Sequence, residues 1–257
     1  MHAASLDQLF EDARSRAQKA PTDFAARSAL WQIFAARGER ERARKQLDLM
    51  LQLDSSWALE VQACHGLLIA EDQRTKVFDG VLAPTCLGTP PDWFPKLIAA
   101  LPMVAGGNAQ AAVQLLSEVR DAVDACPGNI DKTRFEWLCD GDARLGPCLE
   151  LMVQGRYFWV PWQMLRSVAT RAPTEVRDLL WQHALVEVSD ESPVEGFIPV
   201  RYPRPRNSEE SLSRITEWVP LGADLYLGYG QKCFMTNENS YGYLDVRSVK
   251  FDVQASR

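Results

Sequence analysis

The sequence is poor in the residues that build metal centres and activated nucleophiles. It has three histidines, far apart, and six cysteines at positions 64, 86, 126, 139, 148 and 233, with no C-x-x-C pair among them. Structural zinc sites draw their ligands from closely spaced Cys and His pairs, so that class is excluded. Cysteines scattered in this way suit small buried apolar side chains in a reducing compartment. No stretch approaches the ~18 consecutive apolar residues of a membrane span. Asp7, Glu11, Asp12 and Arg14 stand where a secretory signal would carry its apolar core. The expectation is a soluble, cytoplasmic protein without a membrane partner. A cationic face is missing as well. The net charge is −6, and the densest basic run, Arg37 to Lys45, is interrupted by Glu39 and Glu41. Mixed signs at that spacing make a solvated helix face with i,i+4 pairing, and nucleic-acid binding is not expected.

What is present is enough apolar material for a large core. Hydrophobic residues make up 46% and charged residues 24% of the 257 positions, ordinary values for a globular chain of one or two domains. The pattern changes part-way along. Up to about residue 126 the apolar residues follow a helical period, and from about 135 they alternate, with turn residues recurring between short runs. The reading is an α+β protein: tetratricopeptide-like helical repeats over 1–130, then a small, strongly bent sheet or barrel-like domain over 131–257.

Within the first half, Ser5 and Gln8 form a capping-box start, with Leu6, Leu9, Phe10, Ala13 and Ala17 on one stripe. Leu30 and Phe34 fill the apolar positions of a later helix, Gly38 ends it, and Ala43 follows where two helices would cross closely. The same Gly-then-Ala spacing recurs at Gly107 and Ala112, 69 positions on, near two repeats of a tetratricopeptide array. An intermediate repeat would put its turn at Asp72 and its small residue at Val77. Between them a Pro-rich stretch, Ala83 to Pro91, reads as an insertion loop. The helix from Asp92 to Ala105 follows it, with Trp93 and Phe94 as core plugs.

The second half pivots on Phe135 to Trp162. Leu149, Leu151 and Val153 alternate with Glu150, Met152 and Gln154, Gly155 makes a turn, and Arg156 to Val160 runs back as the second arm of a hairpin. Tyr157 and Trp159 on one face and Phe158 and Val160 on the other require cover from both sides, by the helical half or by a partner. Further strands are expected at 165–170, 184–189, 196–202, 225–229, 232–236 and 243–251. Pro199 marks the third of these as an edge strand or a bulge.

Few residues offer chemistry. Glu136, Asp140 and Asp142 are the one carboxylate cluster near aromatics, and together they could hold a divalent cation for hydrolysis. Asp140-Gly141-Asp142 is equally a turn sequence. His183 has no Ser or Cys motif pointing at it, and Gly228-Tyr229-Gly230 lacks the helix that a phosphate loop needs. No active site and no cofactor are expected.

The ordered set FEWLCDGDARLGP, RLGPCLELMVQGRYFWVPW, DLLWQHALVEV, GFIPVRYP, ITEWV and GYGQK, with LLIAEDQRTKVFDG in the helical half, resembles the ImpE/TagJ (SciE-type) family of bacterial type VI secretion accessory proteins. The segment after Tyr202, Pro-Arg-Pro-Arg-Asn, departs from the family's pattern. The resemblance implies a non-enzymatic adaptor that binds the N-terminal helix of the small contractile-sheath subunit (TssB/VipA type), with an indirect link to the ClpV ATPase. A generic repeat scaffold for another peptide is the alternative alongside the metal-dependent hydrolase. Large aromatics dominate such interfaces. Trp31 and Phe34 on the repeat helices, and Tyr157 and Trp159 on the hairpin, are therefore the candidate partner-binding residues.

Overall fold

The computed structural model describes residues 4–189 and 192–252. Six helices come first: α1 (Leu6–Lys19), α2 (Phe24–Ala36), α3 (Arg40–Leu53), α4 (Ala58–Phe78), α5 (Phe94–Ala105) and α6 (Ala109–Ala122). The Ser5 capping box forms as the sequence requires, with Ser5 Oγ accepting from Gln8 N and Gln8 Oε1 accepting from Ser5 N. Gly38 and Gly107 take φ of +76° and +77° at the ends of α2 and α5, and Ala43 and Ala112 are fully buried at the crossings that follow. The intermediate repeat is not there. α4 runs unbroken through Asp72, which accepts from Arg40 and Arg44 of α3 and does not make a turn. These six helices are thus α1 packed on α2, the pairs α2–α3 and α5–α6, and the long helix α4 between the pairs.

Strand β1 (Thr85–Cys86) lies in the Pro-rich stretch, where only a loop was expected. The remaining strands are β2 (Gly128–Ile130), β3 (Thr133–Phe135), β4 (Leu138–Asp140), β5 (Cys148–Val153), β6 (Arg156–Pro161), β7 (Leu165–Thr170), β8 (Trp181–Val188) and β9 (Val194–Pro199). After the helical turn α7 (Ser208–Ser211) come β10 (Thr216–Gly222), β11 (Leu225–Gly230), β12 (Cys233–Thr236), β13 (Ser240–Gly242) and β14 (Ser248–Phe251). Nine of these form one sheet in the order β1-β6-β5-β9-β8-β7-β14-β2-β3. It has two distinct ends, so the expected small barrel-like domain is instead a large open sheet. A three-stranded sheet β13-β12-β4 and the ribbon β10-β11 complete the β structure.

β5 and β6 form the hairpin read from the sequence, with Leu149 opposite Val160 and Val153 opposite Arg156. Gln154 and Gly155 have φ of +48° and +78°, the two positive values that a tight hairpin turn matching strand twist requires. Pro199 does not mark an edge. β9 lies between β5 and β8, and Pro199 is its last residue, beyond the single Met152–Phe197 pair that joins β9 to β5. Pro199 still pairs with Trp181 of β8, and its missing N–H costs nothing on the side where the ladder to β5 has already ended.

The helices and the sheet share one core. Tyr157 and Trp159 of β6 pack in the same cluster as Leu68, Phe78, Phe94 and Leu97, while Phe158, Val160, Leu149 and Leu151 face a second cluster with Phe234 and Tyr243. β1 of the helical half adds in parallel to β6 at the sheet edge. The position 130/131 division expected from the sequence lies in the turn of the β2–β3 hairpin, which begins at Asp131 with φ +48°.

Candidate functional site

None of the four aromatic residues expected to meet a partner offers it a free face. Trp31 and Phe34 are 2% and 3% exposed, Tyr157 3% and Trp159 0%. Phe34 is covered by Phe10 of α1 at 5.6 Å and by the Arg42 guanidinium at 4.1 Å. Trp31 lies at the base of a cavity of about 190 Å³ lined also by Phe24, Leu47, Met50 and the exposed Trp57. Trp159 is covered by Phe78 and Phe94, and its Nε1 donates to Tyr157 Oη at 2.5 Å. The helical half supplies the cover that the hairpin needs.

Beneath that cover lies a buried ionic network. Glu150, on β5, accepts from Arg74 of α4 (Nε 2.6 Å, Nη2 3.1 Å), from Lys232 Nζ (2.7 Å) and from Tyr157 Oη (2.5 Å). Arg74 also reaches Glu71 at 3.3 Å and donates to the Arg201 carbonyl at 2.9 Å. Lys232 Nζ is 3.2 Å from Asp140 Oδ2, and Asp140 accepts from the hydroxyls of Tyr202 and Tyr243, each at 2.9 Å. Asp142 accepts from Arg144, at Nε 2.9 Å and Nη2 2.5 Å, and from Gly228 N at 2.8 Å. Charges taken out of water this completely persist only when paired and hydrogen-bonded, and here each carboxylate has several donors.

This corrects the hydrolase alternative. Asp140 and Asp142 spend their oxygens on protein donors, while Glu136 sits exposed on the surface with its backbone N–H on Asn237. The three side chains do not converge, and among the described residues no group of His, Cys, Asp and Glu has a metal-binding arrangement. His183 is engaged by Glu195 at 2.9 Å and edge-on to Phe197. Gly228 to Gly230 are the end of β11.

The network gives folding a pH dependence. Burial acts to raise the Glu150 carboxyl, but Arg74 and Lys232 outweigh it and hold the group down at about 2. The folded value lies below the ordinary carboxylate value of about 4.3. Its stabilisation is therefore full above that pH and is lost as pH falls toward 2. Asp140 has the opposite sign. Burial, opposed by Lys232, raises it, so its contribution is present at low pH and disappears as pH rises through its folded value. Wild type should lose on the order of 3 kcal/mol through Glu150 between about pH 4.5 and 2. Urea midpoints measured across that window should fall more steeply for wild type than for Glu150→Gln. Parallel profiles would assign the acid loss to other groups.

The surface with an unfilled apolar face is on α4. Over its N-terminal part, residues 58–70, one side of this helix, with Val61, Cys64 and Leu68, is buried in the core. On the opposite side Leu59, Gln62, Ala63, Gly66 and Ile69 fall at steps of three and four, the spacing of a second helical stripe. Leu59 is 83% and Ile69 48% exposed. That stripe forms one wall of a groove of about 690 Å³, whose other wall is the β5–β6 turn and Met152, Glu195 and Phe197. Gly66 is where the walls meet, since a Cβ there would stand 3.2 Å from Gly155 N. Gln73 holds the turn in place, donating to Gly155 O at 2.9 Å and accepting from Tyr157 N at 3.2 Å. The sequence analysis did not single out this stripe, although Leu59, Ala63 and Ile69 are legible as its signal.

Comparison with known proteins bears on what such a surface serves. The chain is 34% identical to the type VI secretion system accessory component TagJ of Pseudomonas aeruginosa, over 98% of this chain and 89% of that protein. The family model described as ImpE protein matches residues 132–250. This chain belongs to the ImpE/TagJ family. A crystal structure of a Vibrio parahaemolyticus protein superposes with a TM-score of 0.89 over 97% of this chain and 94% of that one, at 22% identity, and so shares the fold. The ImpE match begins in the β2–β3 turn and ends in β14, so it takes in seven of the nine strands of the large sheet and leaves β1, β2 and α4 outside. Among the described residues no helix is long and apolar enough to cross a membrane.

Proposed function

We propose that this chain is a non-catalytic, cytoplasmic adaptor of a type VI secretion system that receives an amphipathic partner helix in the groove along α4. The partner that fits the family reading is the N-terminal helix of the small sheath subunit, of the TssB/VipA type. An influence on sheath recycling by ClpV would then follow indirectly, through the sheath. The observation that carries the reading is the second apolar stripe of α4. A helix apolar on two sides belongs in the interior, and here one side faces a groove. An amphipathic helix laid there would bury Leu59 and Ile69 and place its polar face outward, the helix-in-groove mode.

The test is a titration of a peptide copying the sheath subunit's N-terminal helix into wild type and Leu59→Glu. Leu59 has no core role to lose at its exposure, so the variant should fold normally. A charge against an apolar anchor should weaken binding by roughly tenfold or more, about 1.4 kcal/mol. Equal affinity for the two proteins would move the interface elsewhere, and no binding to wild type would count against the adaptor reading itself.

A further inference from the structure

A cavity of about 250 Å³ lies where the end of α2, the C-terminal half of α4 and the Pro-Arg-Pro segment after β9 meet, and it shares no lining residue with the α4 groove. Its lining carries five arginines, at positions 37, 40, 74, 201 and 204, against two carboxylates, Glu71 and Asp79. Four of the arginines have a carboxylate partner. Arg37 pairs with Asp7 and Glu39, each at 2.7 Å, Arg40 with Asp72 at 2.6 Å, Arg74 with Glu150 at 2.6 Å, and Arg204 with Asp79. Arg201 is the exception. It is 6% exposed, and its side-chain bonds within the described structure all go to backbone carbonyls. Glu71, in the same lining, is taken up by Arg74 Nη1 at 3.3 Å and Trp181 Nε1 at 2.9 Å.

The carbonyls in question close two helices. Arg201 Nη1 donates to Ala36 O at 3.0 Å and Ser211 O at 2.9 Å, and Nη2 donates to Ala35 O at 3.4 Å. A cation suits the end of α2, where the last carbonyls carry partial negative charge. These bonds use three of the five N–H groups of a guanidinium and leave Nε and one Nη2 hydrogen free. Nε is not sealed in the interior, because the buried unpartnered side-chain nitrogens and oxygens of the described residues are elsewhere, at Arg177 and Gln182. It is open to the cavity that Arg201 lines. A guanidinium withdrawn from water among dipoles alone lacks the counter-charge that buried ions otherwise have. Burial lowers the Arg201 pKa to about 10, with Glu71 opposing and Arg74 and Arg40 adding repulsion, so the group stays a cation at neutral pH.

An oxyanion supplies the missing charge, and its paired oxygens match the planar fork of a guanidinium edge. The space exceeds the ~30 Å³ share of a single water several-fold. A polyanion is disfavoured as the carrier by the chain's own net charge of −6. We infer that this cavity binds a single small oxyanion, a carboxylate or phosphate group, with Arg201 as its contact and the exposed Arg204 raising the potential at the mouth. The site is separate from the partner groove, and neither depends on the other.

The isotopically labelled full chain, titrated with phosphate, sulfate and acetate at matched ionic strength, tests this. The signals to follow are the Arg201 Nε–H and the backbone amides of Gly38 and Thr75. Saturable shifts are expected, with affinity on the order of millimolar for so small a ligand. Sodium chloride at the same ionic strength should give none. Arg201→Met should abolish saturation. Should that variant fail to fold, since three carbonyls lose their donor, Arg204→Glu must weaken binding by roughly fivefold or more through charge reversal at a side chain that is 61% exposed. Acetate binding at least as tightly as phosphate supports the site with a carboxylate, carried by a protein partner, as its ligand. Phosphate and sulfate binding more tightly supports it with a free tetrahedral anion. No saturable shift with any of the three, or wild-type affinity in the folded variants, overturns the inference.

Discussion

Arg74→Met is expected to cost about 3–5 kcal/mol, the loss typical of removing one partner from a buried ion pair. Arg74 is 1% exposed and bridges α4 to β5 through Glu150, with its guanidinium 5.3 Å from the Phe78 ring. Methionine fills comparable apolar volume and supplies no charge, so Glu150 would stay buried with Lys232 as its remaining cation. A chain of this kind is stable by about 5–15 kcal/mol in total, so such a loss would be plain in a urea melt. Arg74→Met combined with Glu150→Met should recover much of it, since replacing both partners with apolar groups removes the stranded charge. Lys96→Met gives the contrast. Its ion pair with Glu118 joins α5 to α6 across half-exposed side chains, and its loss should leave the urea midpoint close to that of wild type. If Arg74→Met matched Lys96→Met, the network would not be what locks the helices to the sheet.

Trp159→Ala should be as damaging, by about 3–5 kcal/mol, through lost burial and the cavity left behind. The residue is fully buried between Phe78 and Phe94, and its indole N–H steadies Tyr157 Oη, which in turn donates to Glu150. The loss should appear as a lower denaturation midpoint, with partner affinity unchanged in whatever fraction remains folded. A variant of wild-type stability and weakened partner binding would return Trp159 to the interface.

These two residues show which features the sequence exposes. The hairpin was legible because Leu149 to Val160 alternate about a Gly turn, a local pattern with a local cause. Its cover was legible too, since a strand apolar on both faces cannot be left in water. The source of the cover was not, because Phe78 and Phe94 reach Trp159 from another part of the chain. Glu150 is the sharper case. In an alternating strand a glutamate reads as solvent-facing, yet it is fully buried, with partners 76 and 82 positions away. Periodicity carries no information about pairing at that separation. The reading of an intermediate repeat failed for a related reason. G-x4-A fixes a helix pair at Gly38 and another at Gly107, but nothing local determines whether the chain turns again at Asp72, and the Arg40 and Arg44 contacts to Asp72 belong to a continuous α4.

The candidate surface was partly open to reading. Leu59, Ala63 and Ile69 show that α4 is apolar on a second side, but the opposing wall of the groove is built from Met152, Gln154, Gly155 and residues 195–197, which only the fold brings there.

The most direct measurement is amide hydrogen exchange on the full chain, alone and with the intact small sheath subunit. Added protection is expected in α4 over residues 59–69 and in β9 over residues 195–197, with the exposed ribbon β10–β11 unchanged. Protection confined to another surface, or none at saturating partner, would contradict it.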